Sequence, residues 1–305
     1  MNNIWKEFVA EFLGTFILMV FGISGCATNV LSHQGSGFIP GICYGLGATV
    51  AIFFCGPISG AHINPAITLA LCIIRKTSWH KFPIYLIAQY LGAFLAAAVE
   101  YGLYFESIQA FDNELNIAQN TTGPSLTTSG IFSTLPAPHL TLAPALGDTI
   151  ISTGLLALGI LFITDESCYR TPPAIQALSI GFQICATVVG FGYNCGAILN
   201  PARDLAPRLF LAIVGYGKIV FEPLDGNYWW VVAVIGTHVG AIIGAIFYLL
   251  LSKMRTSYVD CSHQIDMMMP QQINPERDLI YQKARIVINE NIKNLSNQSP
   301  PHSRY

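Results

Sequence analysis

The polar groups that could do chemistry in this chain are few, and the most telling of them occur twice. Residues 59–66 read Ser-Gly-Ala-His-Ile-Asn-Pro-Ala and residues 195–202 read Cys-Gly-Ala-Ile-Leu-Asn-Pro-Ala, two matched strings 136 residues apart. Asn followed by Pro starts a helix: the side-chain oxygen accepts an orphan backbone N–H, and the ring occupies a position whose own N–H would go unpaired. Asn64, Pro65 and Ala66, and Asn200, Pro201 and Ala202, therefore mark two helix starts whose carboxamide N–H groups can meet a passing hydroxyl oxygen. Arg203 and Asp204 follow the second string directly, Arg208 comes four residues after Asp204, and His62 precedes Asn64 by two. No nucleophile–base pair, phosphate loop or metal-ligand cluster accompanies them, so catalysis has no machinery here and neither a cofactor nor a metal is expected. The eight cysteines show no paired spacing and read as small core residues rather than a disulfide framework or zinc site.

The elements that must position these groups belong to a membrane. Of 305 residues, 52% are hydrophobic and 10% charged, against about 25% charged in an ordinary soluble domain. Apolar blocks at 8–31, 38–56, 83–105, 146–164, 174–191 and 228–251 are each long enough to span a hydrocarbon core. The first carries Glu11 and no cleavage pattern, so it reads as a retained span. A net charge of −2 and a pI near 6.4 speak against a nucleic-acid partner. Lys6, Arg75, Lys76, Lys81, Arg170 and the tail from Lys253 carry positive charge, whereas connections 32–37 and 106–147 carry none. By the positive-inside rule both termini are then cytoplasmic and the two bare connections external.

Each half holds three spans and one Asn-Pro-Ala segment, and an odd number of spans makes the repeats inverted. The expected organisation is a channel domain at 1–252, with repeat one at about 7–105, an outer loop at about 106–147 and repeat two at about 148–252. A polar cytoplasmic tail follows at 253–305. The apolar runs 66–74 and 205–214 are too short to span, so each is expected as a half-helix entering from one face. The lead-ins 59–61 and 190–196 are expected as non-helical backbone, which at membrane depth must line a water-filled cavity. Two half-helix N-termini meeting at the midplane raise a barrier to cations.

On these paired Asn-Pro-Ala segments the chain resembles the major intrinsic protein (aquaporin) family over roughly residues 5–252. The resemblance implies an all-α membrane protein with the aquaporin fold, six transmembrane helices and two half-helices in two inverted repeats, assembled as a homotetramer in the lipid bilayer. It implies a passive channel whose outer selectivity filter is Tyr44, Val188, Ala197 and Arg203. Asp204 and Arg208 resemble markers of the animal glycerol-conducting branch, so glycerol and water are the implied permeants, with urea a further candidate. Two alternatives stand: a water-selective channel with little glycerol flux, and a secondary active transporter. Two positions depart from the glycerol pattern, which usually has Gly at Val188 and an aromatic at Ala197. His62 is a candidate pH-sensitive pore residue, with packing as the plainer reading. Glu11 resembles a carboxylate that braces pore-loop backbone, while Asp148 sits one position too early to be its echo. Glu100 is placed at an interface, and His238 among Gly236, Gly240 and Gly244 reads as a buried, hydrogen-bonded residue. Asn120-Thr-Thr is a glycosylation sequon on the external connection. The plasma membrane is the expected location. Asn294 and Asn297 head similar sequons on the cytoplasmic side, beside a weak amphipathic patch over 279–295.

Overall fold

The computed structural model describes residues 4–268, apart from Gln34, Tyr169 and Arg170, together with Lys283; side chains are described as far as Arg255. The sequons at Asn294 and Asn297, the patch over 279–295 and Arg170 lie outside the described residues. Two compact units divide after Ser252, and the cavity described below lies in the first.

Among the described residues there are only helices and connections. Long helices are α1 (Ile4–Leu31), α2 (Phe38–Ser59), α4 (Phe82–Gln119), α6 (Leu142–Ile163) and α7 (Pro173–Cys195). A sixth crossing, Tyr228–Arg255, combines the π-helical segment Tyr228–Gly236 with the first part of α9 (Thr237–Met268). Among the described residues six segments are thus long and apolar enough to cross a membrane; the 22 residues of α2 or α6 rise ~33 Å, about the thickness of the hydrocarbon core. The half-helices are α3 (Pro65–Ile73) and α8 (Pro201–Leu211), and the single-turn α5 (Leu126–Ser129) lies in the outer connection.

Small residues let the long helices approach closely. In repeat one α1 packs on α2 and α4; in repeat two α6 packs on α7 and on the sixth crossing; α2 against α7 joins the repeats. A Cβ at Gly45 would stand 2.5 Å from the Gly181 carbonyl oxygen, and one at Gly244 would stand 2.5 Å from that of Gly154. Gly236, Gly240 and Gly244 all face α6, as their four-residue spacing predicts.

Two boundaries differ from the sequence reading. The third long helix does not stop at 105 but continues to Gln119, through the first part of the connection read as loop. The extension is held by tertiary contacts: buried Asp112 accepts from Ser125 N and from Thr128 Oγ1, which also meets the Tyr216 hydroxyl. Residues 190–195 are helical as well, so the second lead-in is short and begins at Gly196, the αL cap of α7. Gly190 and Gly192 do not break the helix because lipid-depth backbone satisfies itself best by staying helical.

Candidate pore

Asn64 and Asn200 cap α3 and α8 as their sequence context predicts. Asn64 Oδ1 accepts from Ala66 N at 2.9 Å, and Asn200 Oδ1 accepts from Ala202 N at 3.0 Å and Arg203 N at 3.3 Å. Each amide also reaches into the opposite repeat: Asn64 Nδ2 donates to the Leu199 carbonyl and Asn200 Nδ2 to the Ile63 carbonyl, both at 2.9 Å. The two half-helices are thereby locked tip to tip with the same reciprocal bond. Each amide keeps a second N–H, and both residues line the cavity.

The lead-ins repeat one backbone pattern. Positive φ occurs at Gly60, Ala61 and Ile63, and again at Gly196, Ala197 and Leu199. For a residue bearing a Cβ this conformation costs roughly 1–2 kcal/mol, so four strained residues must be held by their surroundings. Buried Glu11 does this in repeat one: Oε1 accepts from His62 N at 2.8 Å and Ser59 Oγ at 2.6 Å, and Oε2 accepts from Ile63 N and Gln89 Nε2, both at 2.8 Å. Repeat two has no such carboxylate among the described bonds. Asp148 reaches only Asn194, at 3.2 Å. The second lead-in is instead held by the Tyr228 hydroxyl on the Cys195 carbonyl at 2.9 Å, and by Thr134, which packs on Gly196.

One cavity of about 1470 Å³ runs past both lead-ins. Asn29, Val30, Gly35 and Gly37 line one mouth; Lys76, Ser78, Lys81, Asp165 and Glu166 line the other. Tyr44, Val188, Ala197 and Arg203 all line it and are all buried. The Arg203 guanidinium lies 5.0 Å from the centre of the Tyr44 ring, and its Nη1 donates to the Phe132 carbonyl at 2.9 Å. Among the described lining residues, Arg203 is the one charged side chain between the two mouths. His62 lines the cavity on the other side of Asn64; Nδ1 meets Thr68 Oγ1 at 3.2 Å, Nε2 meets Thr77 Oγ1 at 3.3 Å, and the ring packs edge-on to Tyr85.

Asp204 and Arg208 do not line the cavity. They form a fully buried ion pair, Arg208 Nε to Asp204 Oδ2 at 2.7 Å, behind α8. Asp204 Oδ1 accepts from Thr134 N and Oγ1, and Arg208 donates to the Thr134 and Val220 carbonyls. The pair therefore fastens the outer connection that brings Phe132 to Arg203. Glu100 is buried between α1 and α4, accepting from Ser24 Oγ at 2.8 Å, rather than at an interface with solvent. His238 is half-buried and bonded to the Val234 carbonyl. Asn120 is exposed at the αL cap of α4. Among the described residues no cluster of His, Cys, Asp or Glu could hold a metal.

Several residues of the site escape the sequence reading. Phe132 and Thr134 come from an irregular connection that carries no local signal. Gln89 and Tyr228 sit in apolar spans where only tertiary structure reveals their partners. Cys26 lines the cavity beside the filter; its place four residues after Gly22, on the face of α1 that receives Tyr44, is a signal that periodicity could have supplied.

The sequence profile of the major intrinsic protein family matches residues 1–248. The chain belongs to that family. It is 39% identical over 257 residues to human aquaporin-9, a match covering 83% of this chain and 84% of that protein. It is 41% identical over 248 residues to human aquaporin-10, covering 81% and 80%. Its structure is similar to the X-ray structure of the aquaglyceroporin from Plasmodium falciparum, with a TM-score of 0.69, 32% identity, and 81% of this chain and 96% of that one covered. The fold is the aquaporin fold, and as a member of this family the chain is a multi-pass membrane channel and not an enzyme.

Proposed function

We infer that this channel conducts glycerol, other small neutral solutes and water down their gradients, and excludes ions and protons. The observation that carries this is that four buried residues line the cavity together: Arg203 and Tyr44 offer polar groups, and Val188 and Ala197 offer apolar ones. A polyol carries hydroxyls on one side of its carbon chain and C–H groups on the other, and it exchanges its hydration shell for such a lining. The likeness to an aquaglyceroporin supports the same reading. Asn64 and Asn200 act as N–H donors at the midplane, and the opposed N-termini of α3 and α8, with Arg203, repel cations. The reading of Asp204 and Arg208 as glycerol-branch residues becomes an indirect one, in which the pair holds the outer loop that positions Arg203.

An active transporter would need coupling carboxylates along the path, and the described acidic lining residues, Asp165 and Glu166, sit at one mouth. Labelled glycerol entering proteoliposomes should therefore stop at the external concentration whatever the proton or sodium gradient; accumulation above it would overturn the channel reading. The proposal extends to urea as a weaker permeant and to a homotetramer with one pore per subunit, which cross-linking in membranes tests. It extends also to the plasma membrane with both termini cytoplasmic and Asn120 glycosylated. Arg75, Lys76 and Lys81 against the uncharged 32–37 connection support that orientation. Loss of a deglycosylation shift in Asn120→Gln is the check.

A further inference from the structure

We propose that a groove between the outer ends of α1 and α4 binds the phosphocholine headgroup of a membrane lipid. The groove stands apart from the pore cavity, so the site does not depend on which solutes the channel conducts. Its volume is about 480 Å³, within the roughly 300–1,000 Å³ of small-molecule sites. Thr28 and Leu31 of α1, with His33 just beyond, form one wall; Tyr104, Ser107, Phe111 and Glu114 of α4 form the other at helical spacing. The apolar block of α4 at 83–105 rises ~34 Å, enough to cross the hydrocarbon core, and it ends one residue past Tyr104. The groove therefore opens at the edge of the core and rises through the headgroup layer. Leu103 and Phe105, both exposed, flank Tyr104 where acyl chains would run.

Charge selects the headgroup. The connections 32–37 and 106–147 hold Glu106, Asp112 and Glu114 and neither Lys nor Arg, so an anionic lipid meets no counter-charge there and a cationic group does. Asp112 is already engaged by Ser125 and Thr128, which leaves Glu114, exposed on the groove wall, as the countercharge. A quaternary ammonium has no N–H to donate, and aromatic faces suit it better than hydrogen-bond acceptors do; Tyr104 and Phe111 supply rings beside Glu114. The phosphate of the same headgroup needs donors. Among the described residues no hydrogen bond within the protein engages the Thr28 or Ser107 hydroxyl, and the His33 ring, stacked on Phe111 with 5.1 Å between centroids, is fixed at the rim with its nitrogens free to donate. Cation and anion of one zwitterion thus each find partners in the same groove.

The test uses the purified full chain in detergent, supplied with an equimolar mixture of phosphatidylcholine, phosphatidylethanolamine and phosphatidylglycerol of identical acyl chains. Native mass spectrometry reads the lipids retained. The expected result is phosphatidylcholine held about tenfold in preference to either competitor, the size of one cation–π contact with its counter-charge. Glu114→Gln should abolish most of that preference without moving the melting temperature, and Phe111→Ala should do the same. Glu106→Gln, which discharges an exposed carboxylate outside the groove, should leave the preference intact. Equal retention of the three lipids, a preference for phosphatidylglycerol or phosphatidylethanolamine, or equal losses in Glu114→Gln and Glu106→Gln overturns the proposal. Free phosphocholine binding as tightly as the lipid would make the occupant a soluble ligand and overturns the lipid assignment.

Discussion

Gly22→Ala should narrow the filter from behind. The aromatic ring of Tyr44 rests on the bare backbone of α1, so an alanine Cβ at position 22 would stand 2.0 Å from Tyr44 Cε1, 2.2 Å from Cζ and 2.4 Å from Cδ1. Carbon atoms in contact prefer about 3.5–4.0 Å, so the ring must withdraw by roughly 1.5 Å. It cannot withdraw into α1; the free side is the cavity, where the Arg203 guanidinium faces it at 5.0 Å. On the filter reading, glycerol is the larger solute and loses more than water from such a narrowing. A rise of about 1.4 kcal/mol in the barrier lowers a rate tenfold, and overpacking by one methyl group typically costs about 1–3 kcal/mol. Stopped-flow light scattering should therefore show glycerol permeability falling tenfold or more while water permeability falls less than threefold. The decisive control is the same change beside Tyr44→Ala, where the ring is gone and Gly22→Ala should have little further effect. Undiminished glycerol flux in Gly22→Ala, or the same loss with and without the Tyr44 ring, would refute the reasoning.

Three further changes probe the scaffold and the barrier. Glu11→Gln places an N–H donor where two backbone N–H groups, Ser59 and Gln89 now donate to a carboxylate; the expected loss is about 3 kcal/mol of stability, seen as a lower melting temperature in detergent, and an unshifted melt would contradict the bracing role. Asp204→Asn leaves Arg208 buried without its counter-charge and should cost about 3 kcal/mol or more, with faster hydrogen exchange at 131–134. Replacing both partners by apolar residues should cost less than Asp204→Asn alone, and the opposite order would mean that the pair does not act as a unit. Arg203→Ala removes the charged side chain between the mouths, so electrophysiology should detect a cation leak absent from the wild type, with glycerol flux retained; a tight, ion-excluding variant would shift the barrier wholly to the half-helix termini.

The parts of this channel that were legible in the sequence are those set by local chemistry or by length. The cap of α3 needs only Asn64, Pro65 and Ala66, and its twin needs only Asn200, Pro201 and Ala202; six apolar blocks announce six crossings. What was not legible depends on partners distant in sequence. The extension of α4 to Gln119 relies on Asp112 meeting Ser125, Thr128 and Tyr216, and residues 106–119 are too polar to continue the membrane signal. The straight course of α7 through Gly190 and Gly192 looked like a break because glycine is a weak helix former in water, a preference that counts for less where no water competes for the backbone. Asp204 and Arg208 are legible in the sequence as branch markers after Arg203, but that the turn of α8 directs them away from the cavity and onto Thr134 depends on the fold. Gly22 and Cys26 carry a readable periodicity on the face of α1 that receives Tyr44.

The central claim is tested most directly by glycerol-driven re-swelling of proteoliposomes containing the purified chain, followed by stopped-flow light scattering beside an impermeant osmolyte. Rapid re-swelling that saturates only weakly and ignores proton and sodium gradients is the predicted result. Fast water efflux with no glycerol entry would contradict it, and would mean that Tyr44 and Val188 leave a hole wide enough for water alone.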